Sequence, residues 1–195
     1  MGPNNQYEKA LGWVGSIIEP YDSDRSFPVF GFGGIPRHMV LNSTSHCFAL
    51  NGNPANPDII GIQNIIETYR GTQQQIGLSG PTYFAPMLDE FYNYVAGLSG
   101  RPVYNILLLL TDGIINDMPQ TKREIVKLSA MPCSIIIVGV GDANFDQMQE
   151  LYGEDGVLRD PSGKPCDRDI VQFVEFDKAV ARGNLAEEVL KEIPR

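Results

Sequence analysis

The sequence predicts an α/β fold in which a largely parallel sheet is covered by helices on both faces. Hydrophobic runs of strand length alternate with amphipathic segments of helix length, a pattern typical of this class. Residues 103–111 and 133–140 are continuous Leu-, Ile- and Val-rich runs bounded by glycine. Such runs are expected of central parallel strands that are buried on both faces. Residues 120–130, between these runs, have the pattern of a helix.

The remaining segments complete a Rossmann-like arrangement. Further helices are predicted over residues 4–19, 58–69, 84–98, 145–152 and 185–193, and further strands over 27–32, 47–50 and 170–176. The first two of these strands are predicted to form a hairpin. Since no repeat, low-complexity tract or linker interrupts the chain, we expect a single domain over residues 1–195.

Composition argues against several classes of function. The chain carries 15 Lys and Arg against 24 Asp and Glu, a formal net charge of −9, which disfavours nucleic acid and direct docking on anionic lipid. Cys47, Cys133 and Cys166 are widely spaced and lack a Cys-x-x-Cys pairing, so neither a disulfide framework nor a zinc cluster is indicated. The longest apolar stretch, residues 106–110, is far shorter than the roughly 20 residues that span a bilayer. We therefore expect a soluble, cytoplasmic chain.

Two polar residues lie where parallel sheets bind ligands, outside the carboxyl ends of the strands. Asp112 directly follows the strand 103–111, and Thr82 precedes the predicted helix 84–98. Each residue also has an ordinary structural explanation, because Asp-Gly after a strand commonly forms a turn and Thr before a helix commonly caps it. The residues alone leave both interpretations open.

Several ordered segments resemble the von Willebrand factor A-like domain of the copine family. The resemblance is carried by Gly-Pro-Thr-x-Phe-Ala-Pro at 80–86, Thr-Asp-Gly at 111–113 and Ser-Ile-Ile-Ile-Val-Gly-Val-Gly at 134–141, and it extends to residues 21–24, 27–33, 50–53, 168–174 and 192–194. It implies a protein-binding module and not an enzyme. It also implies a metal-ion-dependent adhesion site, to which the family assigns the residues matching Thr82 and Asp112. Mg²⁺ suits such a site, with Mn²⁺ or Ca²⁺ as substitutes, because hard oxygen ligands and retained waters leave a position for an acidic group of a partner.

One part of the family pattern has no match, namely the first strand and its Asp-x-Ser/Thr-x-Ser loop, which should precede the helix 4–19. Asp-Ser-Asp at 22–24 follows a helix and precedes a strand, the reverse of the family loop, so we reject it as a substitute. With Thr82 and Asp112 alone, we expect weak or absent metal binding in this N-terminally truncated domain. The missing strand is central in a sheet ordered 3-2-1-4-5-6. We therefore expect strands 27–32 and 103–111 to pair directly, to rearrange, or to accept a segment from another copy in a strand-exchanged homo-oligomer.

The resemblance implies a cytoplasmic protein that recruits partner proteins to membranes, with calcium-dependent phospholipid contact made by modules outside this chain. One alternative is the substrate-binding A domain of a copine-like RING ubiquitin ligase, although three scattered cysteines exclude a RING module here. A second alternative is a nucleotide-binding Rossmann-like enzyme that uses the Gly139-x-Gly141 loop. That fingerprint is incomplete, because Asn144 stands where the third glycine belongs.

Overall fold

The computed structural model describes residues 5–37, 43–152, 157–191 and 193. The chain divides into two compact units, Met1–Tyr83 and Phe84–Arg195. The described part of the first unit combines α-helices with short antiparallel strand pairs, and that of the second contains a parallel sheet with its helices. The predicted α/β class, with a parallel sheet accompanied by helices, is thereby confirmed.

The helices of the first unit, α1 (Gln6–Ile18) and α2 (Ile62–Gln73), pack against each other. Asn5 caps α1 by accepting a hydrogen bond from the Glu8 backbone N–H at 2.8 Å. The helices approach closely at Gly15, where a Cβ atom would lie 2.8 Å from the Ile62 side chain. Arg70 of α2 forms an ion pair of 2.9 Å with Glu8 of α1. The close contact explains why a glycine occupies position 15 within α1.

Among the described residues of the first unit, six short strands form three antiparallel pairs. They are β1 (Ser26–Pro28) with β5 (Asp58–Ile60), β2 (Phe30–Gly31) with β4 (Phe48–Ala49), and β3 (Gly34–Pro36) with β6 (Ile76–Leu78). The predicted strand 27–32 is therefore divided between two pairs, and the expected pairing with 47–50 is confirmed for its second half. The predicted helix 58–69 begins later, because Asp58–Ile60 is a strand and Gly61, with φ 77°, precedes α2.

The parallel sheet of the second unit has the strand order β7 (Asn105–Thr111), β8 (Cys133–Gly139) and β9 (Val171–Glu175). β7 and β8 pair over their full lengths, from Asn105 opposite Cys133 to Thr111 opposite Gly139. All seven residues of β8 are buried, as its uninterrupted apolar run predicts. Among the described strands, β7 pairs with β8 alone. Direct pairing of 27–32 with 103–111 is thus not part of the described structure, while rearrangement and strand exchange stay predictions.

In the described part of the second unit, the sheet is accompanied by the helices α3 (Ala85–Gly97), α4 (Met118–Leu128), α5 (Asp146–Tyr152), α6 (Phe176–Arg182) and α7 (Leu185–Leu190). The sequence patterns predicted four of them and missed α6, which follows β9 without a loop. Gly183, with φ 71°, ends α6 and separates it from α7. Within the described residues, no helix has the length and apolar character needed to cross a membrane.

Candidate functional site

Asp112 lies at the carboxyl end of β7, in the loop that leads to α4. Its neighbour Thr111 is buried at the end of the strand, whereas the Asp112 side chain is exposed. The Thr111 hydroxyl, Oγ1, accepts a hydrogen bond of 3.2 Å from the Gly113 backbone N–H. In an Asp-Gly turn the Asp side chain commonly accepts a hydrogen bond from a nearby backbone N–H, but here the Thr111 hydroxyl is the acceptor. The Asp112 carboxylate lies in solvent at the sheet edge where ligands of parallel sheets bind.

Gly113 packs the Asp112 loop against the loop that follows β8. Its φ of 106° lies in the region that favours glycine. A Cβ atom at this position would lie 2.8 Å from the Asn144 carbonyl oxygen and 3.1 Å from the Phe145 ring. Both the backbone conformation and the lack of space therefore require glycine immediately after Asp112.

Gln147 of α5 fixes the same loop through two hydrogen bonds to the backbone of Ile115. Its side-chain Oε1 accepts a hydrogen bond of 2.9 Å from the Ile115 N–H, and its Nε2 donates one of 3.3 Å to the Ile115 carbonyl. Ile115 is buried, while Ile114 keeps 59% of its surface exposed. The loop therefore presents Asp112 and Ile114 outward from a fixed backbone.

Asp117, at the other end of the loop, connects the starts of two helices. It is only 7% exposed. Its carboxylate accepts hydrogen bonds of 2.9 Å from the backbone N–H groups of both Phe84 and Ala85, and one of 3.1 Å from the Thr121 hydroxyl. A carboxylate at a helix N-terminus satisfies free N–H groups and interacts favourably with the helix dipole. The N-cap residue of α3 is Phe84, so the capping group expected of Thr82 is supplied by Asp117 instead.

Thr82 belongs to the first unit, in the loop after β6, and its side chain is half-buried. The Thr44 hydroxyl donates a hydrogen bond of 2.8 Å to Ser79 Oγ in this loop. The Ser79 N–H donates to the Gly33 carbonyl at 3.1 Å. The His46 ring stacks on Tyr83 with centroids 4.3 Å apart. Residues 44–46 therefore hold the loop that carries Thr82.

The donor chemistry of Thr82 and Asp112 fits a hard cation in kind, since hydroxyl and carboxylate oxygens are the ligands that Mg²⁺ and Mn²⁺ prefer. Across residues 5–37, 43–152, 157–191 and 193, no group of three or more His, Cys, Asp or Glu side chains could hold a metal ion. Thr82 and Asp112 would supply one hydroxyl and one carboxylate to such an ion. Because Thr82 and Asp112 belong to different units, their joint role as metal ligands stays a prediction.

The carboxylates of the rejected Asp-Ser-Asp segment serve in a turn. Asp22 Oδ1 accepts hydrogen bonds from the N–H groups of Asp24 at 3.2 Å and Arg25 at 3.1 Å, and Asp24 Oδ1 accepts one from Ser26 at 2.9 Å. Burial raises the pKa of Asp22, with the neighbouring Asp24 adding to the effect. The segment follows a 3-10 turn, Glu19–Tyr21, and precedes β1, which is the structural context on which we rejected it.

Three features bear on the enzyme alternative. A Cβ atom at Gly139 would lie 2.7 Å from the Phe145 ring, so that packing explains this glycine without a phosphate ligand. Exposed carboxylates at Asp142 and Asp146 surround the same loop and would repel a pyrophosphate. Burial raises the pKa of Cys133 to about 11, which keeps its thiol protonated and a poor nucleophile.

Comparison with known proteins gives two findings. The family model described as Copine matches residues 2–195, nearly the whole chain. Among solved structures, the crystal structure of manganese-loaded Plasmodium vivax TRAP protein is similar at 18% sequence identity and a TM-score of 0.48. The match covers 71% of this chain and 52% of that chain, so this chain spans about half the length of the TRAP structure.

Proposed function

Because the chain belongs to the copine family, we propose that it is a protein-interaction domain whose docking surface lies around Asp112, at the carboxyl end of the parallel sheet. The observation that carries the proposal is an exposed carboxylate directly after a sheet strand, on a loop whose neighbouring residues are fixed by packing and hydrogen bonds. Loops that are placed by a rigid scaffold are common positions for binding residues.

Asp112 and Thr82 are the residues that we propose as ligands of a Mg²⁺ or Mn²⁺ ion. When bound, such an ion offers an open coordination position to an acidic group of a partner protein. Asp112 supplies negative charge for the ion, and Thr82 supplies a neutral oxygen. Since Thr82 and Asp112 supply only two side chains to an ion that prefers six oxygen ligands, we expect weak binding of the ion alone.

The membrane role that we propose for the intact protein is indirect. A net charge of −9 opposes adsorption to anionic lipid, so this chain binds proteins while other modules make the calcium-dependent phospholipid contact. We therefore expect a cytoplasmic protein that brings partners to membranes. Sedimentation with phosphatidylserine vesicles checks this division: the chain alone should stay in the supernatant with or without Ca²⁺.

Titration with Mn²⁺, followed by the electron paramagnetic resonance signal of the free ion, tests the metal site. The wild type should bind weakly, and Asp112→Asn should lose measurable binding because its amide carries no charge. Asp142→Asn is the matched control, since it makes the same change at another exposed aspartate of the same sheet edge. Equal affinities for wild type and Asp112→Asn would refute the assignment of Asp112.

A further inference from the structure

The side-chain amide of Gln147 pairs with the backbone of Ile115 in the manner of a neighbouring peptide group. One amide accepts from the Ile115 N–H at 2.9 Å and donates to the Ile115 carbonyl at 3.3 Å. Only Asn and Gln among neutral side chains offer a donor and an acceptor at the spacing that matches a peptide in this way. Gln147 therefore fixes both the position and the orientation of the Ile115 peptide groups.

A second contact from the same segment holds the loop two residues earlier, at Gly113. The Asn144 carbonyl and the Phe145 ring fill the space beside Gly113, at 2.8 Å and 3.1 Å from where its Cβ would be. Asp112 thus stands between the buried strand residue Thr111 and a glycine confined by packing. With Ile115 bound to Gln147, little backbone freedom is left on either side of the Asp112 carboxylate.

We propose that Gln147 is a positioning residue for the ion site at Asp112, acting through the Ile115 backbone without contacting the ion. The inference rests on the proposed function. A loop that is already ordered does not lose conformational freedom when it binds, so preorganisation raises affinity. Groups that orient a metal ligand typically change metal affinity by about 10–100-fold when they are mutated. Because Gln147 acts on the backbone three residues after Asp112, its effect belongs at the lower end of that range.

The test compares Gln147→Met with Gln149→Met. Methionine keeps the length of the glutamine side chain and removes its donor and acceptor. Gln149 lies on the same helix with an exposed side chain, so it receives the same chemical change away from the loop. Mn²⁺ titration should show roughly tenfold weaker binding for Gln147→Met and wild-type binding for Gln149→Met. Hydrogen exchange at the Ile115 amide should be faster in Gln147→Met only.

The outcomes separate this inference from the function on which it rests. If wild type and Asp112→Asn bind Mn²⁺ alike, the ion site at Asp112 is wrong, and the positioning role falls with it. If Asp112→Asn loses binding while Gln147→Met keeps wild-type affinity despite faster exchange at Ile115, the role of Gln147 is structural only and this inference alone is overturned. If Gln147→Met does not fold, Gln147→Asn replaces it, because its side chain is one methylene too short to reach both groups; the same loss of affinity is expected.

Discussion

Replacing Asp117 with alanine removes one carboxylate that accepts three hydrogen bonds inside the second unit. The backbone N–H groups of Phe84 and Ala85 then lack their acceptor at the start of α3, and Phe84 is only 1% exposed. A buried donor left unsatisfied destabilises a protein by about 1–3 kcal/mol. We expect Asp117→Ala to lower the free energy of unfolding by about 3 kcal/mol in total. The half-buried Ala85 contributes less to this loss than Phe84, and the lost Thr121 bond adds to it.

Two further variants make the Asp117 measurement specific. Asp117→Asn keeps one acceptor oxygen and should lose about half as much stability. Asp89→Ala removes an exposed partner of Lys127, an ion pair of 3.0 Å, and should change stability by less than about 1 kcal/mol. The single tryptophan, Trp13, lies in the first unit, so unfolding of the second unit is best followed by hydrogen exchange of β7 and β8 in increasing urea. A loss for Asp117→Ala no larger than that for Asp89→Ala would refute the capping role.

The other predictions concern glycine packing, thiol ionisation and the nucleotide alternative. Gly113→Ala should destabilise the second unit by about 2 kcal/mol in urea unfolding, because its Cβ meets the Asn144 carbonyl and its φ disfavours a side chain; unchanged stability would contradict the packing. Since burial raises the pKa of Cys133 from 9.0 to about 11, the unfolded state releases its proton first, and stability should fall as pH rises from about 9 to 11; Cys133→Ser should flatten that fall. Calorimetry with ATP or NAD should show no saturable binding, and binding abolished by Gly141→Val would favour the enzyme alternative.

The parallel sheet could be predicted from the sequence because its strands are encoded locally. The runs 103–111 and 133–140 contain β7 and β8 with errors of two residues or fewer, since buried parallel strands are apolar on both faces. The first unit was harder, because strands of two or three residues do not repeat a pattern often enough to be recognised. Asp58–Ile60 was assigned to a helix since Ile59 continues the apolar spacing of α2, and only Gly61 marks the change.

The candidate site was predictable only in part. Chain order alone places Asp112 at the end of a strand, but nothing in the sequence connects Gln147 with Ile115, 32 residues earlier. A glutamine in an amphipathic helix belongs to no recognisable sequence motif. The role of Gln147 depends on how the loop after β7 packs against the segment after β8. Asp117 precedes Met118 and Pro119, which resembles the ordinary start of α4, although its carboxylate also serves α3, 32 residues earlier in the chain. Contacts between distant segments decide these functions, so local patterns do not reveal them.

Mapping the response of backbone amides to Mg²⁺ by nuclear magnetic resonance tests the docking surface most directly. We expect the amide signals of Gly113, Ile114 and Ile115 to shift with increasing Mg²⁺ in the wild type and to stay unchanged in Asp112→Asn. Shifts confined to residues 22–26, where Asp22 and Asp24 already bind backbone N–H groups, would contradict the placement of the ion site at the end of β7.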